Sequence, residues 1–537
     1  MGALWRDAWG IVALAGRRAG NRAGLRKDAW AGRRRPLRAD TSATVGPPHP
    51  VPLSAERTVS DAPPHAPSLM RRASGPVPSP RGVPFEGARL LGWVVGVFVV
   101  YGLLAAFLTW PLLPQLGHAV PGSPRSDLWN SLWSVWFAVD AVLQGHLPWI
   151  ADQLNHPDGG ELLVADPLGA LVSVPFVPLV GLEAAFGLLV LGRIALAGVV
   201  AHGFCWDLSR AAAGDSPSIW LPGPLFAGVA VASAPVLLAG VHNGTSESTA
   251  WAPAILAVWA CWRAQQRPGQ RRVWLAGAAL FLATVASAYS AVVAFVLAGM
   301  LALDAPSGAR WTDRARRLAP LSLGLVLSVP VALLQHGFAT RPGNLVGIKS
   351  PGELAMVRRS TGAADPWTML VGGDFRSPDF AEISRYGETF IHTAYFGYVV
   401  LGVGLFALVR GPRRWALWAG ALSLGLLALG PVWVQDGAAV VFADDRALPL
   451  PYFLVERLPG FSSLSLVWRL AQGPALVLAV LGGASLSRRR WLWVLPLLVL
   501  VEGRTLSPMR DGLALSDGRV HPAILALAHE PAGAVVN

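Results

Sequence analysis

The chain has 537 residues, of which 53% are hydrophobic and 14% are charged, and its net charge is +12. Soluble domains contain about 25% charged residues, so a chain this long and this poor in charge is not expected to be soluble, and lipid is its predicted solvent. Its 23 Trp residues also indicate a membrane protein, because Trp favours the membrane interface. Its two cysteines, Cys205 and Cys261, imply neither a disulfide framework nor a metal site.

The positive charge is concentrated at the N-terminus. Residues 1–85 contain 14 Arg or Lys and 5 Asp or Glu, so nine of the twelve net charges lie there. The arm over 1–87 is rich in Arg and Pro, which predicts disorder because it buries too little apolar surface. A basic arm before a first membrane helix predicts a cytoplasmic N-terminus and does not require nucleic acid as a partner. Met70, before Arg71 and Arg72, is an alternative start of the mature chain.

Eleven apolar stretches predict transmembrane helices, since a span needs roughly 20 apolar residues, or fewer where neighbouring helices shield it. They lie near 88–113, 183–208, 219–241, 250–263, 273–288, 290–304, 318–336, 392–409, 415–434, 464–486 and 490–502. With the N-terminus inside, every short cytoplasmic loop carries Arg, as the positive-inside rule requires. A twelfth stretch, Asp166–Leu182, would reverse this pattern, and its prolines weaken it as a spanning helix. It is predicted to be juxtamembrane or re-entrant.

The predicted fold is therefore all-α. It is a polytopic transmembrane bundle of about 11 spans over 88–502, with juxtamembrane helices in the first outer loop and a short extracytoplasmic tail over 503–537. This topology predicts an integral protein of the inner cell membrane whose C-terminus lies outside. It also puts three long loops, 114–182, 337–391 and 435–463, on the outer face, where function is expected to concentrate.

The first outer loop contains an acidic residue at the start of a predicted helix. Ser126 is the expected N-cap, Asp127 lies in the first turn, and Trp129, Trp133 and Trp136 share one face. The Trp stripe predicts an amphipathic helix on the membrane surface. Asp127 either favours the helix dipole, the more common case, or acts as a general base or metal ligand.

Two further charges are predicted to lie on the same face of the membrane. Glu247 follows a polar turn between two spans, where a carboxylate is costly unless it is paired or wet. Arg469 falls just inside a later span and suits phosphate, although it could also snorkel or pair with a carboxylate such as Glu456. Trp129, and His392 and Tyr395 at the start of a predicted span, are candidate substrate-binding residues. The mixed charges of 337–391 predict a mostly solvated surface.

These elements, in this order, resemble bacterial multi-pass proteins of the GT-C glycosyltransferase superfamily. The similarity spans roughly residues 88–510 and is carried by short motifs: Trp110-Pro111-Leu112, Asp127-Leu128-Trp129-Asn130-Ser131-Leu132-Trp133, Asn155–Gly160, Asp166–Gly169, Asn243–Trp251, and Pro449–Tyr452 with Arg469. Two features differ from that group: Asp127 has no paired acidic neighbour, and the tail ends at Asn537, where related chains often continue into a soluble region.

The resemblance implies a membrane enzyme that moves a hexose or pentose from a polyprenyl-phosphate carrier to an acceptor on the outer face. It implies that Asp127 is the catalytic carboxylate and a candidate ligand of a divalent cation, Mg or Mn. Glu247 matches the second-loop acidic position and is implied as a second catalytic residue that helps Asp127, and Arg469 is the candidate for the donor phosphate. The implied partners are membrane lipid and the lipid-linked sugar donor.

Two other functions stay open from the sequence. A transporter or flippase of lipid-linked or anionic solutes favours inverted repeats and broken midplane helices, and no clear repeat is visible. A non-catalytic scaffold for the cell envelope is favoured by the missing acidic neighbour of Asp127.

Overall fold

The computed structural model describes residues 87–151, 159–161, 164, 166–213, 221–305, 308–340, 351–371, 391–411, 414–435, 438–442, 447–458, 460–486, 490–506 and 512–519. The basic arm and the Asn155–Asp158 turn lie outside these residues. Within them the protein is mostly helical, as expected from its apolar runs.

The helices follow one another along the chain, and the connections between them range from a single residue to more than twenty. The first half contains α1 (Gly87–Leu108), α2 (Leu128–Leu143), α3 (Pro167–Ser173), α4 (Val177–Val180), α5 (Leu182–Ala213), α6 (Pro222–Ala232), α7 (Pro235–His242), α8 (Ala252–Gln266) and α9 (Gln270–Ala286). The second half contains α10 (Ala288–Leu303), α11 (Trp311–Thr340), α12 (Pro351–Arg358), α13 (Pro366–Leu370), α14 (Tyr398–Arg410), α15 (Trp415–Ala428), α16 (Tyr452–Val455), α17 (Gln472–Ser485) and α18 (Val494–Thr505).

Several helices have the length and composition of membrane spans. Among the described residues, four apolar helical stretches are long enough to cross a bilayer: Leu182–Ala211, Pro222–His242, Trp311–Leu334 and Val467–Ser485. Shorter apolar helices cover Val94–Leu108, Ala288–Leu303, Tyr398–Arg410 and Trp415–Ala428. Each of the eleven predicted stretches contains a helix. The protein is a helical membrane protein, and the number of spans and their orientation stay predictions.

The outer surface of the bundle is apolar where lipid is expected. Leu103 and Phe107 of α1 and Val326 and Leu333 of α11 are all more than half exposed. In water such rows would be an aggregation hazard, whereas in a bilayer they contact acyl chains.

The centre of the bundle is packed through small residues. Helix α6 lies between α5 and α17. A Cβ added to Gly223 would lie 2.3 Å from the carbonyl oxygen of Gly483, so the two backbones approach as closely as glycine permits. Close approach through small residues is how membrane helices gain van der Waals contact without a hydrophobic driving force. This contact packs the start of α6 closely against the end of α17.

The apolar stretch Asp166–Leu182 forms the two short helices α3 and α4. Helix α3 has seven residues and α4 has four, and at about 1.5 Å per residue neither approaches the roughly 30 Å of a hydrocarbon core. Asp166 caps α3 by accepting a hydrogen bond from the Gly169 amide at 2.8 Å. Thus the stretch turns at the protein surface and is not one spanning helix.

Helix α2 corrects the surface-helix interpretation of the Trp stripe. Trp133 and Trp136 are 6% and 7% exposed, and Trp133 stacks on Phe137 with 5.0 Å between ring centroids. The helix packs against α3 and α5, so these rings fill a protein interface and do not anchor the helix in lipid. Trp129 is partly buried and donates its Nε1 proton to the Pro124 carbonyl at 3.1 Å.

The described part of the C-terminal tail returns to the first outer loop. Strand β1 (Ala119–Pro121) pairs antiparallel with β4 (Leu515–Asp517), with Val120 opposite Ser516. A second small ladder, β2 (Val434–Gln435) with β3 (Ala438–Ala439), lies in the loop after α15. The β1–β4 pair fixes the start of the first loop just before the Asp127 helix.

Candidate functional site

The second outer loop is the short loop over residues 243–251, between α7 and α8. A buried ion pair holds it in place. Arg193, in the middle of α5, donates to both carboxylate oxygens of Asp166 at 2.6 and 2.7 Å. The same guanidinium donates to the Ser246 carbonyl at 2.5 Å. Ser246 starts the 3-10 turn Ser246–Thr249, so Arg193 fixes the backbone beside Glu247. Sequence reasoning missed Arg193, although an Arg within an apolar helix signals a paired, functional or structural charge.

Asn243 joins three outer loops in the same region. Its side chain is fully buried, donates to the Ile391 carbonyl at 2.9 Å and accepts from the Ile391 amide at 2.8 Å. Its own carbonyl accepts the Ser126 hydroxyl at 2.7 Å. Gly244 adopts φ +65°, and a Cβ there would lie 2.6 Å from Leu128 Cβ. The start of α2 and the segment before α14 are therefore locked onto the second loop.

Glu247 forms an ion pair with Arg469. Arg469 lies in the 3-10 turn Val467–Ala471 at the start of α17, and its Nη1 donates to Glu247 Oε1 at 2.7 Å. The two side chains are 7% and 17% exposed, so the pair is largely out of solvent. The guanidinium also lies over the rings of Tyr289 and Trp468, at 5.2 and 5.8 Å from the ring centroids. These contacts hold a cation at the inner edge of the outer loops.

Asp127 faces the same charge but does not cap its helix. It occupies the N-cap position of α2 without a side-chain capping hydrogen bond, and it is exposed. Its carboxylate acts electrostatically on Arg469. Ser126, the expected N-cap, bonds instead to the carbonyls of Ser123 and Asn243. The helix therefore starts later than predicted, and the dipole interpretation of Asp127 lacks its capping bond.

His392, in the segment just before α14, joins this group. Its ring meets Trp468 edge-on with 5.7 Å between centroids, and its Nδ1 is buried. Burial, together with the positive charge of Arg469, lowers the pKa of His392 to about 3. At neutral pH the imidazole is uncharged, so it adds no second cation to the site.

A small cavity lies between these side chains. Its lining includes Glu247, Tyr289, Trp468, Arg469 and Gln472. The cavity volume is about 10 Å³, which is room for roughly one water molecule. With Glu247 on Arg469, the space left between these side chains is no larger than this.

Other predicted residues lie elsewhere. Tyr395 precedes α14 and donates its hydroxyl to Glu502 at 2.5 Å, and Glu502 also accepts the amides of Tyr398 and Val399. The helix begins at Tyr398, after Gly397 at φ +90°, and not near residue 392. Tyr395 therefore belongs to the Glu502 cap at the N-terminus of α14.

The alternative partner of Arg469 is wrong, and two Arg residues of the 337–391 loop lie in ion pairs and buried hydrogen bonds. Glu456, proposed as a partner of Arg469, pairs instead with Arg359 at 2.9 Å. Arg358 is 4% exposed and donates to the carbonyls of Ser462 and Leu464 at 2.8 and 3.0 Å. Arg358 and Arg359 thus join the described part of the 337–391 loop to the 435–463 loop, whereas most other charged residues of 337–391 lie outside the described residues.

A divalent cation at Asp127 stays a prediction. Within the described ranges, no group of three or more His, Cys, Asp or Glu side chains is arranged to hold a metal ion. One exposed carboxylate fits a shared or substrate-bridged ion better than a dedicated protein site.

No protein-family model and no curated protein matches this chain. Among solved structures, it is similar to archaeal oligosaccharyltransferase AglB from Archaeoglobus fulgidus in complex with an inhibitory peptide and a dolichol-phosphate, at 11% identity and a TM-score of 0.41. It is also similar to the Archaeoglobus fulgidus oligosaccharyltransferase in its apo form (15%, 0.38) and tethered to an acceptor peptide containing the NVT sequon (13%, 0.38). The alignments cover 81% of this chain and 53%, 54% and 53% of those chains. The chain thus spans about half the length of these oligosaccharyltransferases.

Proposed function

We propose that this protein is a membrane glycosyltransferase that moves a sugar from a polyprenyl-phosphate carrier to an acceptor hydroxyl at the outer face of the inner membrane. The observation that carries the proposal is the largely buried ion pair between Glu247 and Arg469, on whose guanidinium the carboxylate of Asp127 also acts. A buried guanidinium framed by Tyr289 and Trp468 suits a phosphate group at the end of a lipid. Two carboxylates next to it suit a reaction that must remove a proton.

The reaction follows from these roles. The carboxylate of Asp127 accepts the proton of the acceptor hydroxyl while the acceptor oxygen bonds to the anomeric carbon. The bond from that carbon to the carrier phosphate oxygen breaks, and its electron pair stays on the phosphate. Arg469 stabilises the charge of this leaving group. Attack opposite the leaving group inverts the anomeric configuration. A divalent cation would neutralise further phosphate charge when bound, and no step here uses it.

The test is donor turnover by the full chain in nanodiscs. The donors are labelled polyprenyl-phosphate hexoses and pentoses, with an envelope extract as the acceptor source. Asp127→Asn is expected to lower turnover at least about a hundredfold, because it removes a general base. The matched control is Asp140→Asn, which changes an acid on the same helix whose described partner is Gln144. Equal rates for wild type and Asp127→Asn would remove Asp127 from the mechanism.

One observation favours a second candidate, a non-catalytic envelope scaffold. Glu247 is held in an ion pair, and the cavity beside it has room for about one water. A scaffold needs such a closed polar contact to hold its loops together. Wild-type protein that turns over none of the donors and binds no phosphate through Arg469 would support this candidate over the enzyme.

A further inference from the structure

Arg469 is buried, but its protein partner accepts only some of its hydrogen-bond donors. Its side chain is 7% exposed, and its hydrogen bond to Glu247 comes from Nη1. Within the described part of the chain, its Nε is buried without an acceptor. A guanidinium offers five donors in a fork that matches two oxygens of one phosphate or carboxylate. The contact with Glu247 therefore leaves the Nε donor of Arg469 unused, and an anion with two oxygens, such as a phosphate, would use it.

The space around the pair permits one anion at a time. The cavity lined by Glu247, Tyr289, Trp468 and Arg469 has a volume of about 10 Å³, whereas a phosphate is larger than the single water that this admits. A phosphate reaches Arg469 only if the Glu247 carboxylate moves away. The backbone beside Glu247 is fixed by the bond from Arg193 to the Ser246 carbonyl. The movement is therefore a side-chain rotation and not a loop opening.

We propose that Glu247 is a resident anion that holds Arg469 until the phosphate of a lipid carrier displaces it. This inference rests on the proposed function and adds an order of events: the carrier phosphate binds first, in place of Glu247, and Glu247 is free to act only afterwards. The displaced carboxylate stays on the same 3-10 turn, close to the site, and becomes available to the acceptor or a cation only after the carrier has bound. On this proposal, the structure with Glu247 paired to Arg469 is the carrier-free state of an enzyme. The pair is then no evidence for a non-catalytic scaffold.

The inference is tested by equilibrium binding of labelled farnesyl monophosphate to the purified full chain. Glu247→Gln is expected to bind about tenfold more tightly than wild type, since a competing charge-assisted hydrogen bond is lost. Glu247→Asp should also bind more tightly, because the shorter side chain keeps its charge but no longer reaches Arg469. It serves as the second variant if Glu247→Gln does not fold. The matched control is Glu456→Gln, which breaks the pair with Arg359 and should bind as wild type.

The outcomes separate this inference from the proposed function. Unchanged or weaker binding by both Glu247 variants, with binding lost in Arg469→Gln, overturns displacement and leaves the phosphate site standing. Equal binding by wild type and Arg469→Gln removes the phosphate site, and displacement with it. Inorganic phosphate, used in place of farnesyl monophosphate, distinguishes the two sources of the group. Inorganic phosphate that binds as tightly as the farnesyl ester would overturn the lipid carrier as the ligand.

Discussion

Two buried Arg side chains in this protein have opposite surroundings. Arg193 is saturated by a forked pair with Asp166 and a third bond to the Ser246 carbonyl. Arg469 has an end-on bond to Glu247 and two aromatic rings, with a buried Nε left over. A saturated guanidinium holds structure together, whereas one with unused donors beside a cavity can bind a ligand. From this contrast we propose that Arg193 supports the site and that Arg469 binds its ligand.

The depressed pKa of His392 predicts an acid-sensitive stability. Its pKa is about 3 in the folded protein and about 6.5 when unfolded, so the unfolded chain binds one more proton between these values. Stability should fall as the pH drops from about 6.5 toward 3, and His392→Gln should reduce that slope. Melting temperatures in detergent between about pH 4 and pH 7.5 measure this effect. His118→Gln, at an exposed site, is the control, and equal slopes in wild type and His392→Gln would contradict the prediction.

At the scale of elements, the second outer loop connects the segments that form the candidate site. It accepts a hydrogen bond from Ser126 of the first outer loop, bonds through Asn243 to Ile391 at the end of the 337–391 loop, and contacts the start of α17 through Glu247. These bonds join segments more than 100 residues apart in the chain, so the loops are ordered by one another and not by local sequence preference.

Asn243→Ala should loosen this connection measurably. The change leaves the buried amide and carbonyl of Ile391 without their partners, which costs about 1–3 kcal/mol of unfolding free energy. A lower melting temperature and faster hydrogen exchange at the Ile391 amide are the expected results. Asn130→Ala, at an exposed position on α2, should change neither. If the Ile391 amide exchanged as fast in Asn243→Ala as in the wild type, the Asn243 side chain would not be what holds the end of the 337–391 loop.

At the scale of the whole molecule, apolar runs predicted where helices lie, because a membrane helix depends mainly on its own hydrophobic length. Contacts between distant loops were less predictable. Arg469 pairs with Glu247, 222 positions away, and not with the nearer Glu456. The start of α14 was misplaced because its cap, Glu502, comes from the last helix. The buried Trp face of α2 looked like an interfacial stripe because periodicity cannot tell whether lipid or protein covers an apolar face.

The most direct test of the shared site is a cryo-EM map of the full chain with bound polyprenyl monophosphate. We expect phosphate density within hydrogen-bond distance of Arg469, between Tyr289 and Trp468, with Asp127 facing its outer side. Phosphate density held by other residues, with the Arg469–Glu247 pair intact, would contradict it.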